Sequence, residues 1–193
     1  MRAPPPELEA KYAQACAQPS DINEHLPLLR ELASKCEHVT EMGTRGAVST
    51  VALLAGQPVE LVTWDISPWA IVSQPMADLV AVAGRTKLQP RVGDSLKITI
   101  ESTDMLFIDT LHTARQLKAE LERHADPVEN KVKRYLVFHD TATFGMRSED
   151  GTEPGLRAAI RWFQRNHAFP LWELIEDRQA NNGLVVLRRV DAK

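Results

Sequence analysis

Short apolar runs alternate with helix-length segments along the middle of this chain, and this alternation restricts the fold more than any other feature. Seven runs are long enough to form a strand: His38–Met42, Val59–Trp64, Lys87–Val92, Asp104–Ile108, Arg134–Phe138, Leu171–Ile175 and Leu184–Arg189. Several are apolar at consecutive positions, which is typical of parallel strands covered by helices on both faces. Strands that alternate with helices predict an α/β fold with a doubly wound sheet.

The end of the chain breaks this alternation. The last two apolar runs are separated by a loop that contains Asn181-Asn182-Gly183, which leaves no room for a helix. Two strands joined in this way must run antiparallel. The pattern therefore predicts a mostly parallel, seven-stranded sheet that finishes in an antiparallel hairpin.

Helical patterns fill the remaining segments. Residues 6 to 16 predict a short helix, and Ser20 is a candidate N-cap for a second helix with Ile22, Leu26, Leu29 and Ala33 on one face. Two later helices are predicted by apolar stripes, Ala114-Leu117-Leu121 and Leu156-Ile160-Phe163, the second behind the candidate cap Thr152.

Composition argues against several classes of protein. The formal net charge of −3 provides no broad basic face for nucleic-acid phosphates. Cys16 and Cys36 form no CxxC spacing, so neither a zinc knuckle nor a disulfide framework is indicated. The first residues lack the apolar core of a secretory signal, and no run of about 18 apolar residues could span a membrane. We therefore expect a cytoplasmic protein that binds neither nucleic acid nor membrane.

Five successive predicted strands carry or precede an acidic residue where they end. Ligands of doubly wound sheets bind beyond the carboxyl ends of the strands. The first strand runs into Glu41-Met42-Gly43-Thr44-Arg45-Gly46, and Ser49 and Thr50 begin the next helix. Glycines in such a turn let the backbone bend tightly and approach a ligand. The other strand-end acids are Asp65, Asp94, Asp109 and Asp140.

The turn after the first strand discriminates between cofactors. A dinucleotide fold would show G-x-G-x-x-G, and a Walker loop would show G-K-[ST], and neither is present here. Glu41 would repel a pyrophosphate but would attract the ammonium group of a methionine moiety. Asp65 is placed to accept hydrogen bonds from ribose hydroxyls. An adenosylated methionine is therefore favoured, and an NAD(P)-dependent oxidoreductase is the alternative.

Glu41-x-Gly43-x-x-Gly46-x-x-Ser49-Thr50 resembles motif I of class I S-adenosylmethionine (SAM)-dependent methyltransferases. The resemblance covers residues 35 to 190 or so and implies a Rossmann-like sheet of strand order 3-2-1-4-5-7-6. It implies that Glu41 and Gly43 line the methionine end, that Asp65 holds the ribose, and that Asp94 and Ser95 flank the adenine. The other cofactor-binding residues implied by the resemblance are Thr44, Gly46, Ser49, Ile66 and Asp109.

Two further stretches look like one metal-dependent branch of that family, namely Phe107-Ile108-Asp109-Thr110-Leu111-His112 and Val137-Phe138-His139-Asp140. The branch contains macrolide-sugar and rhamnosyl O-methyltransferases and cephalosporin-hydroxylase-like proteins. The resemblance implies a divalent cation, Mg²⁺ or Mn²⁺, held by Asp109 and Asp140, with His112 as general base. His139 stands where the family usually has the first acid of a pair. Imidazole binds Mg²⁺ less well than Mn²⁺, Fe²⁺ or Zn²⁺, so His139 is an uncertain third ligand.

These features predict a SAM-dependent O-methyltransferase that acts on a small hydroxylated acceptor with divalent metal assistance. A sugar-containing natural product is the acceptor class that the resemblance suggests. The resemblance further implies that residues 1–34 form a helical lid, that residues 35–193 form a SAM-binding domain, and that the protein assembles into a homo-oligomer. The segment from Ala142 to Glu153 is expected to contact the acceptor, with Phe144, Met146 and Trp69 as candidate pocket walls. The altered pair at His139 leaves one alternative open, a catalytically silent SAM- or S-adenosylhomocysteine (SAH)-binding module.

Overall fold

The computed structural model describes residues 3–126, 129–166 and 172–190. Within these ranges the helices are α1 Pro6–Ala17, α2 Leu26–Ala33, α3 Val48–Ala55, α4 Pro68–Val72, α5 Gln74–Val82, α6 Ala114–His124 and α7 Leu156–Asn166. The strands are β1 His38–Met42, β2 Glu60–Asp65, β3 Lys87–Val92, β4 Thr103–Ile108, β5 Val132–His139, β6 Trp172–Arg178 and β7 Leu184–Arg189. No helix in the described part of the chain combines the length and the apolar character needed to cross a bilayer.

The strands form a seven-stranded sheet in the order β3-β2-β1-β4-β5-β7-β6. The pairs β1–β2, β2–β3 and β4–β5 are parallel, whereas β7 runs antiparallel to both β5 and β6. This arrangement confirms the predicted α/β class, the strand order and the terminal hairpin. The chain divides into two compact units, one ending at Ser95 and the other beginning at Leu96.

The first unit contains β1 to β3 and α1 to α5. Its β1 and β2 are paired so that Glu41 lies beside Thr63. Helices α1 and α2 pack on α3, which is buried over almost its whole length. The fully buried apolar side chains of this unit include Leu8, Leu26, Leu29, Met42, Leu53, Leu54, Leu61 and Met76. The paired strands bring the turns that follow β1, β2 and β3 to one edge of this unit.

The second unit contains β4 to β7 with α6 and α7. Four consecutive residues of β4, Met105–Ile108, are buried, as the uninterrupted apolar run predicts for a strand covered on both faces. Helices α6 and α7 pack on each other. Phe107, Phe138 and Phe163 are fully buried in this unit. The parallel pair β4–β5 places the residues that follow these strands beside one another.

Two predicted helix starts are wrong. Ser20 does not cap α2, because a single 3₁₀ turn over Asn23–His25 comes first and α2 begins at Leu26. Pro27 accounts for this start, since proline has no N–H and is tolerated only in the first turn of a helix. Thr152 does not cap α7, which begins at Leu156, because the Thr152 hydroxyl donates to Asp150 instead.

One predicted boundary cannot be compared. The sixth strand is predicted to begin at Leu171, which lies outside the described residues, and the strand is present from Trp172.

Candidate active site

In the turn after β1, every second residue from Gly43 to Ala47 has a left-handed backbone conformation. Gly43 has φ 90°, Arg45 has φ 41° and Ala47 has φ 61°. The Gly43 N–H donates to the carbonyl of Trp64 at 2.9 Å, so strand pairing continues into the turn. A side-chain Cβ placed on Gly46 would meet no atom of the described residues within 4 Å. The backbone at Gly46 therefore borders open space, as the predicted close approach of a cofactor requires.

Glu41 lies near the end of β1, two residues before Gly43, and is fully buried, with 0% exposure. Its Oε1 accepts a hydrogen bond from the Ser49 hydroxyl at 2.6 Å. Its Oε2 accepts from the hydroxyls of Thr50 at 2.7 Å and Thr63 at 2.6 Å. Thr63 also shares a hydrogen bond with the Thr44 hydroxyl. The carboxylate therefore joins the end of β1 to α3, to β2 and, through Thr63, to the turn.

Charge complementarity predicts that Glu41 faces a cofactor ammonium, whereas the structure surrounds this carboxylate with hydroxyl donors of its own unit. The same applies to Ser49, whose hydroxyl is directed to Glu41. Direct contact of Glu41 with a cofactor stays a prediction. In this structure the hydrogen bonds of Glu41 connect β1 to α3 and to β2, and Thr63 of β2 extends this network to the turn. Sequence reasoning missed Thr63, although its position two residues before Asp65 puts it on the same face of β2.

Asp65 contacts the backbone of the same turn. Its Oδ2 accepts the N–H groups of Thr44 and Arg45, each at 2.9 Å, and its Oδ1 accepts the N–H of Ser67 at 2.7 Å. The following residue, Ile66, is 71% exposed. Asp65 thus fixes two amides of the glycine-bearing turn, and the predicted ribose contact would add to this role.

Asp94 and Ser95 follow β3 and are both partly exposed. The Gly93 N–H donates to the Asp65 carbonyl at 2.9 Å, which carries the β2–β3 pairing past the strand ends. The structure therefore brings the predicted adenine residues next to the predicted ribose residue in the first unit.

An ion pair joins the predicted N-terminal segment to the turn. Arg45 donates to Asp21 Oδ2 at 2.6 Å, although the Arg45 side chain is 82% exposed. An exposed pair of this kind contributes little to stability. It does place residues before β1 beside the predicted cofactor turn within the first unit.

The second unit gathers two carboxylates and two imidazoles where β4 and β5 end. His112 Nε2 lies 2.9 Å from Asp140 Oδ2 and 3.6 Å from Asp109 Oδ1. His139 Nδ1 lies 3.3 Å from Asp140 Oδ2 and 3.4 Å from Asp109 Oδ1. All four predicted residues of the metal and base site are therefore in contact. Asp109, which is also predicted to bind the cofactor, belongs to this unit and not to the first.

The charges of this cluster compensate one another. Burial alone would lower the pKa of His112, but the neighbouring carboxylates of Asp109, Asp140 and Glu149 raise it to about 10. Burial likewise opposes the charged form of His139, and the same two aspartates raise its pKa to about 10. Burial would raise the pKa values of Asp109 and Asp140, but hydrogen bonds from both imidazoles hold them below the ordinary range. The carboxylates thus favour the doubly protonated, cationic form of both imidazoles.

The donor set fits a divalent cation. Asp109, His112 and Asp140 each offer one ligand atom, and these atoms lie within 4.8 Å of one another. Asp140 Oδ1 is buried and accepts no hydrogen bond from any part of the chain that the structure describes. A buried carboxylate oxygen without a donor is costly unless a ligand meets it. Carboxylate with imidazole is a donor set that suits Mn²⁺, Fe²⁺ or Zn²⁺ better than Mg²⁺.

Two acids of this site were missed by sequence reasoning. Glu149 Oε2 lies 2.7 Å from His112 Nδ1, within the loop that is predicted to contact the acceptor. Glu120 of α6 is 0% exposed and accepts hydrogen bonds from Thr110 at 2.7 Å and Gln116 at 2.9 Å. Glu120 thereby ties the segment between Asp109 and His112 to α6. The position of Glu120 on the buried face of α6, three residues after Leu117, was an available signal.

The predicted pocket walls fall into different environments. Phe144 stacks on the His112 ring, with ring centroids 4.7 Å apart and ring planes 11° apart. Met146 of the same loop is 72% exposed, and Trp69 of the first unit is 80% exposed. The structure thus supports contact with the predicted base for Phe144 alone among these three.

Comparison with known proteins identifies the fold class as that of class I SAM-dependent methyltransferases. No protein-family model and no curated protein sequence matches this chain. Among solved structures, an O-methyltransferase of Bacillus cereus in complex with SAH has a TM-score of 0.66 at 18% identity, over 96% of this chain and 92% of its own.

Two further structures agree. The SAH-bound methyltransferase PaMTH1 of Podospora anserina has a TM-score of 0.63 at 16% identity, over 98% of this chain and 90% of its own. The SAM-bound magnesium protoporphyrin IX methyltransferase of Synechocystis PCC 6803 has a TM-score of 0.61 at 12% identity, over 88% of this chain and 82% of its own. At these identities the likeness establishes a shared fold.

Proposed function

We propose that this protein is a SAM-dependent O-methyltransferase that acts on a small hydroxylated acceptor with the help of a divalent cation. The observation that carries the proposal is the cluster at the ends of β4 and β5, where Asp109 and Asp140 are the proposed cation ligands and His112 is the proposed base, in a fold shared with SAM- and SAH-bound methyltransferases.

The first unit is proposed to bind SAM, whose sulfonium supplies an electrophilic methyl group. Asp65 and the open backbone at Gly46 support this assignment. Asp65 is proposed to hold the ribose, Ile66 with Asp94 and Ser95 to border the adenine, and Gly43 to border the methionine end. Thr44 and Ser49 are proposed to act through the hydroxyl network around Glu41, which keeps the turn in shape.

The second unit is proposed to prepare the acceptor. As the acceptor oxygen forms its bond to the methyl carbon, the carbon–sulfur bond breaks to leave SAH, and the hydroxyl proton passes to His112. A divalent cation held by Asp109 and Asp140 would lower the pKa of the acceptor hydroxyl, and its charge would favour a neutral His112. Phe144 keeps the His112 ring in one plane. His139, buried beside both aspartates, is proposed as a further ligand.

The proposal is tested by separating cofactor binding from transfer. Calorimetry with SAH measures the first, and a methyl-transfer assay over a panel of hydroxylated sugars and phenols measures the second. We expect Asp140→Asn to abolish transfer and leave the SAH affinity unchanged. Glu122→Gln, an acid of α6 that pairs with Lys118 on the surface, is the matched control and should behave as wild type. We also expect chelation to stop transfer and Mn²⁺ to restore it better than Mg²⁺ does.

Full transfer by Asp140→Asn, or full transfer after exhaustive chelation, would overturn the metal-assisted mechanism.

A second candidate is a SAM- or SAH-binding module without catalysis, which the replacement of the family's acid by His139 favours. Tight SAH binding with no transfer to any acceptor would select that module. Binding of NAD(P) in preference to SAH would select an oxidoreductase.

A further inference from the structure

Glu149 is joined to His112 by two independent contacts. The His112 Nδ1 lies 2.7 Å from Glu149 Oε2, and the Glu149 backbone N–H donates to the His112 carbonyl at 3.2 Å. The side chain of Glu149 is 38% exposed, but its backbone is fixed against the residue that it contacts. A pair held at both backbone and side chain has a defined geometry, unlike an ion pair between two flexible side chains.

The loop around Glu149 is itself folded. Arg147 and Pro154 form an isolated β-bridge, and the Ser148 N–H donates to the Glu153 carbonyl at 3.0 Å. The Ser148 side chain is buried, and its hydroxyl donates to Asp150 at 2.6 Å. These bonds close a small hairpin that presents Glu149 at its tip. The position of Glu149 is therefore set by the loop.

The two nitrogens of His112 face opposite partners. Nδ1 faces Glu149, whereas Nε2 faces Asp140 and Asp109 at 2.9 and 3.6 Å. Phe144 covers the ring face, which restricts ring rotation. A carboxylate that accepts the Nδ1 proton fixes which nitrogen is left for chemistry, as in carboxylate–histidine pairs at metal sites and catalytic triads.

We propose that Glu149 is a positioning residue that holds His112 with Nε2 directed at Asp109 and Asp140. The inference rests on the proposed function for its effect on transfer. It predicts that Glu149 acts through His112 and makes no contribution to cofactor binding, because the predicted SAM residues other than Asp109 lie in the first unit. Glutamine at this position keeps an oxygen acceptor for the Nδ1 proton, whereas alanine removes it.

The experiment compares Glu149→Ala, Glu149→Gln and a control, Glu153→Gln, which changes an acid of the same loop that pairs with Arg115 of α6. Long-range ¹H–¹⁵N spectra of the metal-free protein report the state of each imidazole, and the His112 signals are those absent from His112→Asn. We expect Glu149→Ala to shift the His112 ring signals, Glu149→Gln to restore them in large part, and Glu153→Gln to leave them unchanged.

Kinetics provide the second readout. Loss of a carboxylate that orients a histidine at a metal site lowers activity by about 10- to 100-fold. We expect Glu149→Ala to lower kcat by this factor without changing the KM for SAM, and Glu149→Gln to recover most of the loss. A purely structural role would shift the KM and the melting temperature in both variants.

Wild-type His112 signals in Glu149→Ala would overturn the inference. If the wild-type protein transfers no methyl group to any acceptor, the proposed function fails, and the ring spectra still decide the role of Glu149.

Discussion

Replacing Glu41 by glutamine tests whether this carboxylate anchors the turn or binds the cofactor. Glu41 is fully buried and accepts hydrogen bonds from Ser49, Thr50 and Thr63. Glutamine has nearly the same volume, but only one of its two end groups accepts hydrogen bonds. At least one hydroxyl must therefore reorient or lose its partner, and the remaining bonds lose their charge assistance.

The size of the effect follows from the number of hydrogen bonds that change. A hydrogen bond to a charged group contributes about 1.5–3 kcal/mol, and a neutral one about 1 kcal/mol. Relief of the buried charge offsets part of the loss. We expect Glu41→Gln to lower the free energy of unfolding by about 1–3 kcal/mol. Urea denaturation followed by circular dichroism measures this change.

A double-mutant cycle identifies the cause. If Ser49 and Glu41 interact as the structure shows, the effects of Glu41→Gln and Ser49→Ala should depart from additivity by about 1 kcal/mol. Thr86→Val is the matched control, because the Thr86 hydroxyl is also buried in the first unit but donates to the Pro58 carbonyl. The effect of that substitution should be additive with that of Glu41→Gln. Unchanged stability, additivity with Ser49→Ala and a loss of SAH affinity would together refute the anchoring role and support contact with the ammonium group.

Three further predictions test the cofactor turn, a surface ion pair and the folded loop. Asp65→Ala should weaken SAH binding by about 1–3 kcal/mol in calorimetry, and an unchanged affinity would refute the ribose assignment. Arg157→Ala removes contacts of 2.8 and 2.6 Å to Asp177 and a hydrogen bond of 2.7 Å to the Thr141 carbonyl, and it should lower the free energy of unfolding by about 1–2 kcal/mol at pH 7. Hydrogen bonds from Arg157 lower the pKa of Asp177 in the folded protein. The stabilisation that comes from this ion pair is therefore present above pH ~4 and is lost as the pH falls through the pKa of Asp177 in the folded protein. Urea unfolding at pH 7, 5 and 3 should show the difference shrinking, and a constant difference would contradict the ion pair. Gly155→Ala would place a Cβ 2.1 Å from the Phe144 carbonyl oxygen and should lower the melting temperature, whereas an unchanged value would show that the loop tolerates displacement.

The strands were predictable because their signal is local. Runs such as Lys87–Val92 and Leu184–Arg189 match the observed strands at both ends. The connection between the sixth and seventh strands is too short for a helix, and this was enough to predict the antiparallel hairpin. Helix starts were less predictable, because Ser and Thr side chains also stabilise turns outside helices. Ser20 and Thr152 both do so, accepting from the Ile22 N–H in one case and donating to Asp150 in the other.

The juxtaposition of the strand-end side chains was predictable from the sequence, but not every group that they contact. The acids at strand ends were expected to share one edge, and Asp109 and Asp140 do come together with His112 and His139 in the second unit. Which groups a side chain meets depends on register and loop path. Glu149 reaches His112 through a hairpin that has no hydrophobic period, so no residue spacing could indicate this contact beforehand.

The acids of the two units differ in what compensates their charge, and this difference indicates which of them hold the fold and which can take part in chemistry. Glu41 accepts hydrogen bonds from the hydroxyls of Ser49, Thr50 and Thr63, and loss of these donors would leave a buried carboxylate with fewer hydrogen bonds. Asp109 and Asp140 lie against two imidazoles, and the carboxylates raise the pKa values of both. A divalent cation bound here would compensate the same two carboxylates and would favour neutral histidines beside it. Asp109 and Asp140 are therefore suited to holding a cation, whereas Glu41, fixed by hydroxyls, is suited to holding a turn.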